Sequence, residues 1–419
     1  MDQLKAVVAR RRCPVGIQTF SEVRSNGYVY VDKTRYVYEL AHASGKAFFL
    51  SRPRRFGKSL LISTMQSYFE GRRELFEGLE IAGLEPGEWE SLPVIRLDLS
   101  TVKTCDPVQL VQLLDFSISR LESVWGRDPE ASTPGSRLMA LIQAAYEATG
   151  RQVVVLIDEY DAPFLNVTHD PEMLQVFREA MREFYAPLKA CDEMLRFVFL
   201  SGITKFSQLS IFSELNNLTN ISMLPQYAGI CGITEDELVA ELGQDVAGLA
   251  VSLGVGRDEV FSLLKTHYDG YHFCKVSPDI YNPFSLLSAL ANGDIESYWF
   301  GSGTPTFLVN LLSAHGWDIA DLEGCVARAS EFDAPAERMN TPLPMLYQGG
   351  YLTIKSYDRR RDTYVLGIPN EEVSRGLSEC LVQHAAPEAL SRHYGFLDGL
   401  ADKLYEDDVE GVLTLMQSF

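Results

Sequence analysis

Paired cysteines are missing from this chain. Its 419 residues hold seven cysteines (Cys13, Cys105, Cys191, Cys231, Cys274, Cys325 and Cys380), scattered, odd in number and never spaced as Cys-x-x-Cys. That pattern argues against a disulfide framework or a zinc ribbon and fits a reducing compartment. Long apolar runs are missing as well: no stretch approaches the ~18–20 apolar residues of a spanning helix. The basic N-terminus, MDQLKAVVARRRCPVG, is not followed by the apolar segment of a secretory signal. These absences set the expectation of a soluble, cytoplasmic chain with no membrane partner. Positive charge is scarce, with 37 Lys and Arg against 57 Asp and Glu and a net charge of −20. A field of that sign repels phosphate, so a general nucleic-acid coat is disfavoured while a local basic patch stays open. Neither internal repeats nor low-complexity tracts occur. What is present is ordinary globular usage, 46% hydrophobic and 22% charged, enough for two or three domains at roughly 100–200 residues each.

Short apolar runs rich in β-branched and aromatic residues alternate with helical patterns from Ala47 to about Met223. The runs are AFFL (Ala47–Leu50), VIRLDL (Val94–Leu99), VVVLI (Val153–Ile157) and FVFLSG (Phe197–Gly202), with a weaker fifth, NISML, at Asn220–Leu224. After Lys58, the residues Leu61, Met65, Tyr68 and Phe69 share one apolar face and predict a helix. Near-continuous apolar strands alternating with helices predict an α/β fold whose parallel sheet is covered on both faces. Composition shifts after about Pro225. Residues 234–300 read as helical, with Thr234 and Glu237 in capping-box spacing and Asn282–Pro283 as a break before FSLLSAL. A third block, from about Thr304, ends in a hairpin predicted from YLTIKSY (Tyr351–Tyr357) and TYVLGI (Thr363–Ile368) around the tip DRRRD. The closing DDVEGVLTLMQSF is helical in pattern without a terminal cap, as if cut rather than finished.

The densest chemistry lies at SRPRRFGKS, Ser51–Ser59, directly after the AFFL run. Binding a phosphate takes backbone N–H groups converging on its oxygens, a helix N-terminus behind them and a mobile cation. Gly57 permits close backbone approach, Lys58 supplies an ammonium for the β- and γ-phosphates, and Ser59 a hydroxyl for Mg2+. A GxxxxGK[ST] loop would carry glycine at position 52; here Arg52 is followed by Pro53, which has no N–H to donate. Alone, GKS reads equally well as a chance tripeptide. A second motif changes the balance. VVVLIDEYD, Val153–Asp161, is a buried-strand pattern ending in acids, about 100 residues after GKS with one strand between, as a P-loop ATPase requires. Asp158 is placed to hold Mg2+ through water, and Glu159 to orient and deprotonate an attacking water. The candidate nucleotide loop is therefore Arg52, Pro53, Arg54, Arg55, Phe56, Gly57, Lys58, Ser59 and Leu60, with Lys58 and Glu159 the candidate catalytic residues. The FVFLSG run would deliver Ser201, Thr204 or Lys205 beside the γ-phosphate, or leave any of them as a cap or loop group.

Further blocks extend the pattern: YVDKTRYVYEL (Tyr30–Leu40), SGITKFSQLSIFSELNNL (Ser201–Leu218), GITEDEL (Gly232–Leu238), YDGYHF (Tyr268–Phe273), YNPFSLL (Tyr281–Leu287) and GYLTIKSYD…YVLGIPNEEV (Gly350–Val373). With RPRRFGKS and Val153–Asp161 they cover most of the chain, and the whole resembles the bacterial AAA-ATPase-like proteins. That family shares Arg-Pro in place of the first glycine and commonly carries a C-terminal nuclease of the PD-(D/E)XK class. The resemblance implies an ASCE-type P-loop core of sheet order 5-1-4-3-2, a helical lid and a winged-helix-like module, similar to STAND and origin-initiator ATPases. On this chain residues 1–228 would form the core, 229–303 the lid, 304–380 the winged-helix-like module, and 381–419 the helical start of a missing nuclease-like domain. It implies ATP and Mg2+ as ligands, Lys58 and Ser59 at the phosphates and metal, and Asp158 and Glu159 at the metal and the water. No position for an arginine finger is secure. The nuclease is where the chain departs from the family. After Lys355 the only lysine is Lys403, two residues past Ala401, so no Asp/Glu-x-Lys can form and nuclease activity is not expected.

Other signals carry two readings each. HYDGYHFC offers His267, His272 and Cys274 without a visible partner cluster, so ordinary packing or a lid contact is expected over a metal site. Asp32, Lys33 and Thr34 either line the adenine or phosphate side or form a capped turn. Arg359, Arg360 and Arg361 at the hairpin tip either touch a nucleic-acid backbone or face solvent, and Arg54 and Arg55 could meet a subunit, a polynucleotide or water. The expected function is ATP binding with Mg2+-dependent hydrolysis coupled to a conformational change; no NKxD-like guanine-reading motif is visible. An interaction switch with incidental turnover and a degenerate scaffold are the alternatives, and intact Lys58, Ser59, Asp158 and Glu159 argue against the scaffold. DNA and a protein are both open as partners.

Overall fold

The computed structural model describes residues 11–167, 170–205, 218–299, 311–312, 315–317, 321–335 and 341–385, with single positions 403, 408, 410 and 411. Two short helices, α1 (Phe20–Ser25) and α2 (Thr34–Ala41), precede a central five-stranded sheet: β1 (Ala47–Ser51), β2 (Val94–Asp98), β3 (Val153–Asp158), β4 (Leu195–Gly202) and β5 (Leu218–Asn220). The order is β2-β3-β4-β1-β5, which is 5-1-4-3-2, and every pairing is parallel. Each residue of β1 and β3 is buried, because helices cover both faces and successive side chains point to opposite sides. Phe48, Leu50, Val154, Leu156, Phe197 and Phe199 face α3 (Lys58–Phe69), which answers with Leu61, Ile62, Met65, Tyr68 and Phe69. Ala47, Phe49, Val153, Val155 and Ile157 face a second layer built by α4 (Pro107–Trp125), α5 (Pro134–Thr149) and α6 (Pro171–Tyr185). Each of these three helices opens on a capped proline: Asp106, Thr133 and Asp170 accept backbone N–H groups, and Pro sits in the first turn where no donor is needed.

The fifth strand differs from its expected bounds. It spans Leu218–Asn220 rather than Asn220–Leu224, because the Asn220 side chain accepts from Ser222 N at 3.0 Å and turns the chain off the sheet. Residues 206–217, in the middle of the Ser201–Leu218 block, lie outside the described residues.

Beyond the sheet, α7 (Glu235–Leu253), α8 (Arg257–Tyr268) and α9 (Pro283–Asn292) pack around Leu238, Leu242, Val246, Leu264 and Leu286. Thr234 and Glu237 form the expected capping box, and Asn282 caps α9 ahead of Pro283. A short antiparallel pairing of β6 (Ile233–Thr234) with β7 (Ile280–Tyr281) closes the group. The third block holds β8 (Cys325–Ala327), α10 (Leu343–Gly349), β9 (Thr353–Asp358) and β10 (Thr363–Gly367), its antiparallel sheet ordered β8-β10-β9. The β9–β10 hairpin is the one expected. Its Leu343, Leu346, Ile354 and Leu366 join the same apolar cluster as α3, so this block is packed onto the sheet's helical layer. Helix α11 (Glu371–Ala385) follows. Most of the closing helical pattern (386–402, 404–407, 409 and 412–419) lies outside the described residues. No single helix among the described residues is long and apolar enough to cross a membrane.

Candidate functional site

The register of the sheet sets up the site. Ser51 pairs with Gly202 across β1 and β4, and Asp98 with Asp158 across β2 and β3, so the carboxyl ends of four strands finish at one level. Open α/β sheets bind ligands at that edge. From Ser51 the chain loops through Arg52–Gly57, with Arg55 at φ 65° and Gly57 at φ 92°, and enters α3 at Lys58. A residue with a Cβ would be strained at Gly57. The Lys58 side chain is only 3% exposed. Its Nζ donates to the carbonyls of Arg52 and Pro53, both at 3.1 Å, and stands 3.6 Å from Glu159 Oε1. The loop is thus folded over its own lysine. Ser59 and Leu60, both half-buried, complete the first turn.

Asp158 ends β3, buried, with Oδ1 accepting from Ser201 Oγ at 2.6 Å and from Glu159 N at 3.1 Å. Glu159 takes a left-handed backbone, φ 51°, and its carboxylate is 22% exposed towards Lys58. Of the three candidates at and after the end of β4, Ser201 is therefore the one that meets Asp158. The hydroxyl of Ser59, in the first turn of α3, and the carboxylate of Asp158, at the end of β3, are hard oxygen donors, the type Mg2+ takes.

Asp161, the third acid of the motif, was not singled out from sequence. It is 0% exposed, and Oδ2 accepts from Ile203 N (3.1 Å), Thr204 N (2.7 Å) and Thr204 Oγ1 (2.7 Å). Burial, then the charge of Glu159, pushes its carboxyl up to about 6. The signal that could have found it is a carboxylate three residues after a strand's terminal acid, followed by the apolar Ala-Pro-Phe that buries it.

Arg52 departs from its expected place among the nucleotide-facing side chains. Its guanidinium donates to the carbonyls of Ser51 (2.9 Å), Ser222 (2.8 Å) and Tyr227 (3.1 Å) and stacks over Phe273 at 4.1 Å, while burial pushes its pKa down. In the first-glycine position it builds the floor of the loop. Phe56 also turns inward, edge-on to Tyr271 at 4.8 Å. Arg54 and Arg55 are exposed at the crest, Arg55 lying over the Phe284 ring at 4.0 Å. Pro53 abuts Gly350, where a Cβ would come within 2.7 Å of the proline Cβ, and Trp299 Nε1 donates to the Arg54 carbonyl at 3.3 Å. The loop's back is therefore pressed against Gly350 of the third block and Trp299 just ahead of it.

The 32–34 segment makes a capped turn, and Lys33 within it also lines the cavity beside Gly57 and Leu60. Asp32 accepts from Thr34 N at 2.8 Å and from Glu80 N at 2.7 Å. Lys33 donates to the Gly229 carbonyl at 2.8 Å and to Glu237 at 2.6 Å. Beside Gly57 and Leu60 a cavity of about 80 Å³ opens between Val29, Val31, Ile230 and Ile233. The histidines of HYDGYHFC do not converge: His267 meets Glu371 at 3.3 Å and His272 meets Asp279 at 2.7 Å. Glu235, Asp269 and Asp279 do gather, with ligand atoms within 4.8 Å of one another. The Lys265 ammonium stands 2.8, 3.9 and 3.3 Å from those three acids and supplies their cation. The hairpin arginines 359–361 are exposed, as is Asp362 beside them.

Lys205, at the end of β4, is 1% exposed and pairs with Asp333 of the third block, while its N–H donates to Gln348 Oε1 at 2.7 Å. Burial pushes the lysine's pKa down and the aspartate's up, and each partner's charge opposes the shift. Removing one member strands the other in a low dielectric. Asp333→Ala is therefore expected to cost about 3–5 kcal/mol in urea unfolding, whereas Lys205→Met with Asp333→Leu should cost far less.

Comparison with known proteins agrees with the geometry. The family described as Predicted AAA-ATPase (AAA-ATPase-like) matches residues 14–212, a span holding the loop, the Val153–Asp161 motif and β4. An uncharacterized protein in the vnfD 5′ region of Azotobacter chroococcum mcd 1 is 35% identical over 418 residues, covering 98% of this chain and 78% of that protein. A structure of the Aeropyrum pernix Orc1 protein in complex with DNA aligns over 83% of this chain and 91% of its own. At 13% identity and a TM-score of 0.31 that likeness carries no argument. Identity of that extent along nearly the whole chain, with the family match across the loop and acids, shows that the chain belongs to the AAA-ATPase-like family.

Proposed function

We propose that the chain binds Mg·ATP at the Lys58–Asp158 edge of the sheet and hydrolyses it, with Glu159 as the general base. The observation that carries this is the approach of Lys58 Nζ, at the start of α3, to Glu159 Oε1, just past β3, at 3.6 Å. The cation for the phosphates and the carboxylate base thereby meet at one place on the edge of the sheet. Arriving phosphate oxygens compete with the Arg52 and Pro53 carbonyls and with Glu159 for the Lys58 ammonium, which releases Glu159 towards water. The water oxygen then bonds to the γ-phosphorus, its proton passes to Glu159, and the β–γ bridging bond breaks to leave ADP and phosphate. Ser59, and Asp158 through water, would hold Mg2+, which would supply charge neutralisation at the phosphates. The apolar cavity beside Gly57 and Leu60 suits the base, and the choice of ATP over GTP rests on the family.

A second reading has its own support. The loop touches Gly350 and Trp299, and Lys205 pairs with Asp333, so the phosphate site and the third block share contacts. That favours a nucleotide-dependent interaction switch, with residues 229–303 as lid, 304–380 as a winged-helix-like module and the exposed Arg359–Arg361 tip as a DNA or protein contact. Calorimetry with ATP and GTP, with and without Mg2+, and single-turnover phosphate release with and without DNA separate the two. Mg·ATP binding with steady hydrolysis is expected. Binding without hydrolysis until DNA or a protein is added would favour the switch, and no nucleotide binding would overturn both.

A further inference from the structure

Glu159 holds a left-handed backbone at φ 51°. A β-carbon resists that region, and a side-chain-bearing residue stays there only where its surroundings over-determine it. The surroundings are the next two residues. Tyr160 N donates to the Ser201 carbonyl and the Tyr160 hydroxyl to the Thr204 carbonyl, both at 2.9 Å. Asp161 Oδ2 takes three donors from Ile203 and Thr204. Tyr160 and Asp161 are both 0% exposed. Gly202 lies flat against them: a Cβ there would stand 2.5 Å from Asp161 Oδ1 and 2.6 Å from the Tyr160 ring. All three groups on Oδ2 are donors, so only an acceptor fits, and the charge strengthens each bond. The end of β4 is thus riveted to the turn that carries Glu159.

We propose that Asp161 is a positioning residue for hydrolysis, holding the strained turn that aims Glu159 by clamping it to Ile203 and Thr204 at the end of β4. The inference rests on Glu159 being the base. Asp161 is fully buried and its Oδ2 is taken up by Ile203 and Thr204, so its removal should slow turnover without weakening nucleotide binding.

The test is a double-mutant cycle read by single-turnover phosphate release, alongside calorimetry for ATP. Asp161→Ala is expected to slow turnover by about 10- to 100-fold, the effect of a misplaced catalytic group. ATP affinity should stay within about twofold of the parent. In the Glu159→Gln background the same change should cost no further rate, since there is no base left to aim. Asp161→Asn keeps an acceptor oxygen for the three donors and should recover most of the rate. Should Asp161→Ala fail to fold, Gly202→Ala presses on the same contact from the other side and should show the same rate-only defect. An equal loss in both backgrounds, or an affinity that falls with the rate, would overturn the inference and leave the ATPase assignment standing. A parent that binds ATP and never hydrolyses it would overturn both.

Discussion

Glu159→Gln is expected to retain Mg·ATP and to lose about 10²- to 10⁴-fold in hydrolysis, the range general-base removal produces. The amide has the same length and reach as the carboxylate, so the side chain can keep its place at the mouth of the site. It cannot take a proton from water. Affinity should hold or rise slightly, because the change also removes the ion pair at 3.6 Å that competes with phosphate for Lys58. A single-turnover assay beside calorimetry reads both quantities on one preparation. If the variant hydrolysed ATP at the parental rate, the proton would go elsewhere and the interaction-switch reading would gain.

How much of this site is legible in the sequence depends on how far each signal reaches along the chain. Strands β1 to β4 are local patterns of four to eight residues, and buried parallel strands write them as unbroken apolar runs. The caps at Thr234 and Asn282 are local too, each completed within three residues. β5 slipped because Ile221 and Leu224 look strand-like, while the Asn220 turn that ends the strand competes with them. Side-chain destinations set by distant partners could not be read. Arg52 sits where a glycine would face phosphate, and only Ser222, Tyr227 and Phe273 turn it inward. Lys33 finds Glu237, and Lys205 finds Asp333, across separations of 204 and 128 residues. Asp161 lies inside the Val153–Asp161 motif, yet its role depends on Ile203 and Thr204, just past the end of β4. Such places are where local sequence rules give way to function.

Lys58→Ala is expected to weaken Mg·ATP binding by about 10- to 100-fold, the equivalent of losing charge-assisted hydrogen bonds worth roughly 1.5–3 kcal/mol. The ligand-free protein feels the change too, and the two effects need separating. Lys58 Nζ is the donor to the Arg52 and Pro53 carbonyls, so its loss leaves acceptors under the loop at about 1–3 kcal/mol. Part of any drop in affinity could then reflect a collapsed loop instead of a missing cation. Urea unfolding of the ligand-free variant measures the first, and calorimetry the sum. Lys58→Met sharpens the comparison, because its thioether fills the tunnel under the loop while carrying no charge. If both variants lose affinity alike while Met keeps the parental stability, the ammonium itself is what the phosphates bind. Equal nucleotide affinity in parent and both variants would remove the phosphate site from this loop and leave Lys58, 3% exposed, as a structural cation held by the Arg52 and Pro53 carbonyls and Glu159.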